Sequence, residues 1–233
     1  MQDEILYGAR LETLNRLKNL YSKSYFDNRN LDCERNIMIL QEWNRLSKYI
    51  GNKGNVLDIG CGKGEFLSLF PQTWNKFGID ISNFALESAK EKGIITDFEL
   101  QDNFFNVIIF RGTIQHIPDP IHRIEDCYYR LKKNGLLVFL ATPNTNSIYY
   151  RLFRNYSMLE ESRNFLLPSD IMLKQILNNF GFEVLKFEYP YINTPYANPV
   201  RDFLSFVLKL LRINKNIHFP FYRNLMECYA RRI

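Results

Sequence analysis

The chain has 233 residues, 46% hydrophobic and 24% charged, with a formal net charge of +5. That length supports one sizeable α/β core, and so mild a charge does not by itself argue for a nucleic-acid partner. No run is long and apolar enough to span a bilayer and none at the start reads as a signal peptide. The scattered cysteines (Cys33, Cys61, Cys127, Cys228) form no C-x-x-C pair, which fits a reducing cytoplasm and argues against a zinc centre.

Residues 2 to 22 place Ile5, Leu6, Leu14, Leu17 and Leu20 at roughly helical spacing. Leu31 to Tyr49 predicts a second helix, with Ile37, Leu40, Trp43 and Leu46 on one face, broken by Gly51 and Gly54. Both precede the first strand. They are expected either to cap apolar surface or to form a lid whose Tyr25, Phe26 and Arg35 touch a ligand. The apolar strand Asn55 to Ile59 runs into Gly60, Gly62 and Gly64, and Glu65 to Phe70 continues as a helix-like run. Lys76 to Ile81 is a second strand that carries Asp80 at its end, and Ser82 and Asn83 open the helix Phe84 to Lys92. Gly93 to Phe98 predicts a short third strand containing Asp97. Phe104 to Phe110 is nearly all apolar, as a strand buried on both faces should be.

Pro118 and Pro120 start a helix through Tyr128 and Leu131, Asn134 and Gly135 end it, and Leu136 to Ala141 is another buried strand. Thr142, Pro143, Asn144 and Ser147 lead into a tyrosine- and arginine-rich stretch: Tyr149, Tyr150, Arg151, Arg154, Tyr156. Pro168 and Ser169 cap the helix Asp170 to Asn179, and Gly181 and Phe182 open a strand to Glu188. A loop-rich insert, Tyr189 to Pro199, precedes an amphipathic helix around Phe203 to Leu211 and a last strand, Asn224 to Arg231. Strands alternating with helices imply right-handed crossovers and a doubly wound, mostly parallel sheet.

A strand that ends in a glycine turn and a helix start lets the backbone approach a ligand and offers free N–H groups to it. The glycines are not spaced as in the dinucleotide fingerprint, and no Lys-Ser/Thr pair of a P-loop follows them. The order Asp58-x-Gly60-x-Gly62-x-Gly64 resembles motif I of the class I S-adenosylmethionine-dependent methyltransferases. Arg111-Gly112-Thr113-Ile114-Gln115-His116-Ile117-Pro118-Asp119-Pro120 resembles the segment after the fourth strand in their small-molecule branch, the ubiquinone- and sugar-type O-methyltransferases. "LKKNGLLVFLATPN" and "NNFGFEVL" are similar to later segments of the same family.

The resemblance covers about residues 54 to 188. It implies a Rossmann-like fold with a seven-stranded sheet, the last strand antiparallel, and one methyltransferase domain over 1–233. Within it, 1–50 would be a helical cap, 51–188 the cofactor core, and 189–233 the substrate-side insert and last strand. It implies S-adenosylmethionine as cofactor, leaving as S-adenosylhomocysteine. Gly60, Cys61, Gly62 and Gly64 would meet the methionine part, with Asp58 orienting the turn. Asp80 would accept from the ribose hydroxyls; the competing reading is a cap for the helix that Ser82 and Asn83 start. Ile81 would lie along the adenine, Asp97 would face its amino group, and Arg111 and Tyr25 complete the cofactor set.

His116 is the candidate base, since its pKa class suits proton removal near neutral pH. The competing reading is a histidine that only packs at a helix start. The quinone-type relatives carry Glu-x-x-Glu-His for a divalent metal; here Gly112 and Gln115 replace both carboxylates, so no metal is expected. Tyr149, Arg151, Arg154, Asn144, Tyr191 and Tyr196 are the acceptor candidates. With Arg111 and Arg201, they point to O-methylation of a small anionic metabolite, such as a nucleotide-linked or phosphorylated sugar of surface-polysaccharide synthesis. Rival readings are RNA or protein methylation, a non-catalytic cofactor-binding partner of another methyltransferase, and a dinucleotide dehydrogenase. The expectation is a cytoplasmic enzyme with a small-molecule acceptor, no nucleic-acid partner and no membrane span.

Overall fold

A computed structural model of the chain describes residues 21, 25–26, 33–154, 164–213 and 220–233. The predicted helix over 2 to 22 lies almost wholly outside these residues. The described elements are α1 (Cys33–Leu46), β1 (Gly54–Ile59), β2 (Trp74–Ile79), α2 (Asn83–Glu91), β3 (Phe105–Arg111), α3 (Pro120–Arg130), β4 (Leu131–Pro143), α4 (Ile148–Phe153), α5 (Asp170–Asn179), β5 (Phe182–Glu188), α6 (Pro199–Leu210) and β6 (Leu225–Arg232). The strands form one sheet in the order β2-β1-β3-β4-β6-β5. β1 to β4 are parallel, and β6 runs antiparallel to both of its neighbours.

The period of two along each strand sorts the core into two layers. Leu57, Ile59, Ile108, Phe110, Leu137 and Phe139 face one side, where Ile124 of α3 and Leu173 and Leu177 of α5 cover them. Val56, Val107, Ile109, Leu136, Val138 and Leu140 face the other, under Ile39 and Leu46 of α1 and Ala89 of α2. Most of these side chains exclude solvent completely, and each contributes roughly 1.5–3 kcal/mol of transfer free energy. Caps follow the sequence: Ser82, Asp119, Ser147, Ser169 and Asn198 each accept from a backbone N–H in the first helical turn.

Three expectations change. The sheet has six strands among the described residues, not seven. The predicted strand Gly93 to Phe98 is reduced to a single parallel bridge, Ile95 to Phe77, outside β2. Gly78 N–H donates to the Ile95 carbonyl and Ile95 N–H to the Lys76 carbonyl, and then the polar Thr96-Asp97 leaves the edge. The run Glu65 to Phe70 forms only one 3₁₀ turn, Leu67–Leu69. Phe70 is extended (φ −67°, ψ 139°) because Pro71 follows it, and a residue before proline avoids the α region. β4 begins earlier than expected: Leu131 pairs with Phe105, so α3 ends at Arg130 and Asn134 takes a positive φ of 63° in the strand's irregular start.

Candidate functional site

The tips of β1, β2 and β3 converge on the glycine turn. Gly60, Gly62 and Gly64 all adopt positive φ (86°, 55° and 76°), a region that costs other residues strain. Space is also short. A Cβ at Gly60 would lie 2.4 Å from Thr113, and one at Gly64 would lie 2.0 Å from Ile94 Cδ1. Gly60 and Cys61 donate their N–H groups to the Ile79 carbonyl at 2.7 and 3.1 Å, which ties the turn to the end of β2.

Asp80 stands just past β2 and accepts from two backbone amides, Gly62 N–H and Ser82 N–H, both at 2.9 Å. Both readings of this aspartate therefore meet in one side chain: it braces the helix start and the glycine turn together. Each carboxylate oxygen keeps a second lone pair for another donor. Burial pushes its pKa up, and the two amides partly offset that.

Asp58 lies at the end of β1 and is 2% exposed. Its Oδ1 is buried without a hydrogen-bond partner. Burial raises its pKa to about 7; Arg111 pulls the other way and Asp80 adds to the rise. Arg111, at the end of β3, donates to Glu42 of α1 at 2.5 Å. Glu42 is itself buried, with its pKa raised by that burial and its Oε1 without a partner.

These groups line one cavity of about 930 Å³. It follows the strand tips across the sheet, from Asp80 beyond β2 to Pro143 and Leu225 at β4 and β6. Tyr25, Phe26, Arg35, Met38 and Glu42 close it from the N-terminal side. Pro190, Tyr191, Thr194, Tyr196, Pro220 and Phe221 line its far part. His116 and Gln115 stand in the wall, in the 3₁₀ turn Ile114–His116 after β3. The Gln115 amide nitrogen donates to the Gly112 carbonyl and lies 3.2 Å from His116 Nε2. An amide nitrogen only donates, so Nε2 accepts there and the ring proton sits on Nδ1.

Of the residues singled out in the sequence, the cavity gathers Asp58, Gly60, Cys61, Gly62, Asp80, Ile81, Arg111, Tyr25, His116, Tyr191 and Tyr196. The others lie elsewhere. Gly64 is a packing position against Ile94. Asp97 is exposed beyond the edge bridge. Tyr149 is 1% exposed in a separate aromatic cluster with Phe153 and Phe206, where its hydroxyl accepts from Lys209 Nζ at 2.7 Å. Arg151 and Arg154 are exposed on α4 and at its end, the latter 5.8 Å over the Tyr150 ring. Asn144 is buried as a brace: its Oδ1 accepts from the Asn146 and Asp170 amides at 3.0 and 3.2 Å. Arg201 is exposed and pairs with the buried Asp202 of α6.

Sequence reasoning missed Glu42, Thr113, Pro143 and Phe221. Glu42 had a signal: it shares a helical face with Met38, Ile39 and Leu46, a carboxylate in an otherwise apolar stripe. Thr113 follows the end of β3, Pro143 pairs with Leu225 across the sheet, and Phe221 comes from the loop before β6; local pattern does not carry that convergence.

Comparison with known proteins bears on the family and the fold. A family model described as a methyltransferase domain matches residues 32–186. The ubiquinone biosynthesis O-methyltransferase of Histophilus somni is 32% identical over 108 residues, 39% of this chain and 45% of that protein. The carboxy-S-adenosyl-L-methionine synthase of Campylobacter hominis is 27% identical over 182 residues, 64% of this chain and 77% of that one. The chain thus spans about half the length of the O-methyltransferase relatives it matches. A crystal structure of a SAM-dependent methyltransferase from Archaeoglobus fulgidus superposes with a TM-score of 0.61 at 18% identity, over 91% of this chain and all of that one. At that identity it supports the fold alone.

Proposed function

The chain belongs to the methyltransferase-domain family, and from that premise we propose that it moves a methyl group from S-adenosylmethionine to a hydroxyl of a small acceptor. One observation carries this reading: the Asp80 carboxylate, braced by Gly62 N–H and Ser82 N–H, faces the same cavity as the buried, unpartnered Oδ1 of Asp58. The cofactor family's donors fit those acceptors. Asp80 would accept from the ribose hydroxyls, Asp58 would accept from the ammonium of the methionine part, and Ile81 would pack along the adenine. Arg111, held by Glu42, keeps positive charge beside Asp58. Tyr25 and Phe26 close the cavity over the turn.

The sulfonium supplies an intrinsically reactive methyl group, so the chain's work is alignment and proton removal. His116 Nε2 takes the acceptor proton, in competition with the Gln115 amide that now occupies its lone pair. Gln115 thereby holds the ring in the tautomer a base requires.

The acceptor part of the cavity is mainly aromatic and apolar: Pro143, Pro190, Tyr191, Tyr196, Phe221 and Leu225. The arginines that favoured an anionic sugar are exposed elsewhere (Arg151, Arg154, Arg201) or engaged (Arg111 with Glu42). Among the described residues only Arg35 and Arg123 add further guanidinium groups to the lining, and both have carboxylate partners, Glu65 and Asp126. A flat or amphiphilic hydroxyl compound fits this wall better than a sugar phosphate. Methyl-labelled cofactor, the purified chain and two panels of acceptors decide between them: phenolic and other amphiphilic hydroxyls against nucleotide sugars and sugar phosphates. Label on the first panel supports the reading. Label only on the second restores the anionic acceptor, and label on neither, with tRNA or protein methylated instead, rejects a small-molecule role.

A further inference from the structure

Helix α6 is built inside out. A surface helix ordinarily turns its charges to water and its apolar stripe to the core. Here Asp202 and Lys209, seven residues apart on one face, are 0% and 7% exposed. Asp202 accepts from the Tyr191 hydroxyl at 2.9 Å and from Asn198 N–H at 3.0 Å. Lys209 donates to the Tyr149 hydroxyl. The opposite face carries the apolar side chains outward: Val200 is 73% exposed, Phe203 60% and Leu211 63%, with Leu204, Leu208 and Leu210 beside them. Helix α4 packs alongside through Phe153 and Phe206 and adds exposed Ile148 and Leu152. Among the described residues nothing covers this surface. Contiguous apolar patches of this kind mark interaction sites.

The charges around the patch favour one occupant. Exposed Arg151 and Arg154 stand on and just after α4, and exposed Arg212 just after α6; exposed Arg201 beside them is ion-paired to Asp202. Between Tyr189 and Met226 the sole acidic residue is Asp202, and it is buried; from Thr142 to Met158 there is none. A second copy docked by the same patch about a two-fold axis would set these arginines against their own copies. An anionic surface is complementary to it. An apolar helix face of Phe, Leu and Val with arginines at its border is the composition of helices that lie in the headgroup region of a bilayer. We infer that the outward face of α6, with Ile148 and Leu152 of α4, docks on the surface of an anionic lipid bilayer. No described helix is long and apolar enough to cross a membrane, so the chain lies on the bilayer through this face. The inner side of the same layer closes the cavity: Tyr191 and Phe221 line it, and Asp202 and Phe206 hold them from behind.

Flotation of the full-length chain with phosphatidylcholine vesicles, with and without phosphatidylglycerol, tests this. The chain should float with the anionic vesicles, and lose at least about tenfold in partition when the anionic lipid is omitted or the salt is raised. The double variant Phe203→Ser/Leu211→Ser and the double variant Arg151→Gln/Arg212→Gln should each reduce partition. In the second, each lost charge should count roughly fivefold. All four side chains point outward, so unchanged binding of S-adenosylhomocysteine reports that the variants are folded. The inference is overturned if the wild-type chain fails to float with anionic vesicles, or if both variants float as well as wild type. It is also overturned if the chain forms a dimer that Phe203→Ser/Leu211→Ser dissociates while vesicles leave that dimer unchanged; the face would then belong to a second copy.

Discussion

Replacing Asp58 by asparagine removes a carboxylate that the fold holds at a cost. Its pKa rises from the ordinary 3.8 to about 7, chiefly through burial. The sign follows from proton counts. Well below pH 4 the carboxyl is protonated in both folded and unfolded chains, and no penalty exists. As pH rises toward 7, the unfolded chain has released the proton and the folded chain still holds it, so stability falls. Above 7 the folded chain carries the buried charge at full cost. At about 1.4 kcal/mol per pH unit, that cost reaches about 4 kcal/mol. The asparagine amide must itself be accommodated, at about 1–3 kcal/mol, so the net gain at pH 8 should be about 1–3 kcal/mol. Urea denaturation of both proteins between pH 4 and 8 measures it. Asp80 and Glu42 also have raised pKa values; both are present in the two proteins, so their contribution cancels except for their charge coupling to Asp58. The variant-minus-wild-type difference should therefore rise by about 4 kcal/mol between pH 4 and pH 8, from a deficit of about 1–3 kcal/mol at the acid end to the gain at pH 8. The same variant should bind S-adenosylhomocysteine about 10- to 100-fold more weakly, because the ammonium loses its counter-charge. Parallel stability curves, or a variant that binds as tightly as wild type, would refute the reasoning.

Other substitutions separate the remaining roles. Asp80→Ala removes the ribose acceptor and frees the Gly62 and Ser82 amides; calorimetry should report about a hundredfold loss of cofactor affinity, and a loss below threefold would leave Asp80 as a cap alone. His116→Ala should lower turnover by roughly 10²–10⁴ with little change in cofactor affinity, whereas a variant that turns over normally would make the histidine a packing group. Tyr149→Phe deletes the hydroxyl that accepts from buried Lys209; thermal denaturation should register a loss of about 1–3 kcal/mol with KM for the acceptor unchanged, and a raised KM with unchanged stability would return Tyr149 to the acceptor site.

The strands were legible because their apolar runs are continuous and glycines punctuate them: Phe104 to Phe110 and Leu136 to Ala141 became β3 and the buried part of β4 with small shifts. The glycine turn and Asp80 were legible for the same local reason. What local pattern did not carry was the fate of weak elements. Pro71 cut the expected helix after Gly64 to one 3₁₀ turn, and the polar Thr96-Asp97 reduced an edge strand to a bridge. The acceptor side was the least legible. Whether an arginine or tyrosine faces a cavity depends on the packing of α4 and α6, and there the usual rule is inverted. Tyr149 and Lys209 are buried partners, and the leucines are outside. Proximity in sequence to a strand's end was therefore a poor guide for Tyr149, Arg151 and Arg154, and a good one for Asp58, Asp80 and His116, each within a few residues of a parallel strand's carboxyl end.

The central claim, that the cavity around Asp58, Asp80 and the glycine turn receives S-adenosylmethionine, is tested most directly by titrating the purified chain with S-adenosylhomocysteine and, separately, with NAD in a calorimeter. Saturable one-site binding of S-adenosylhomocysteine with no heat from NAD is the predicted result. Binding of NAD with none of S-adenosylhomocysteine would contradict the account.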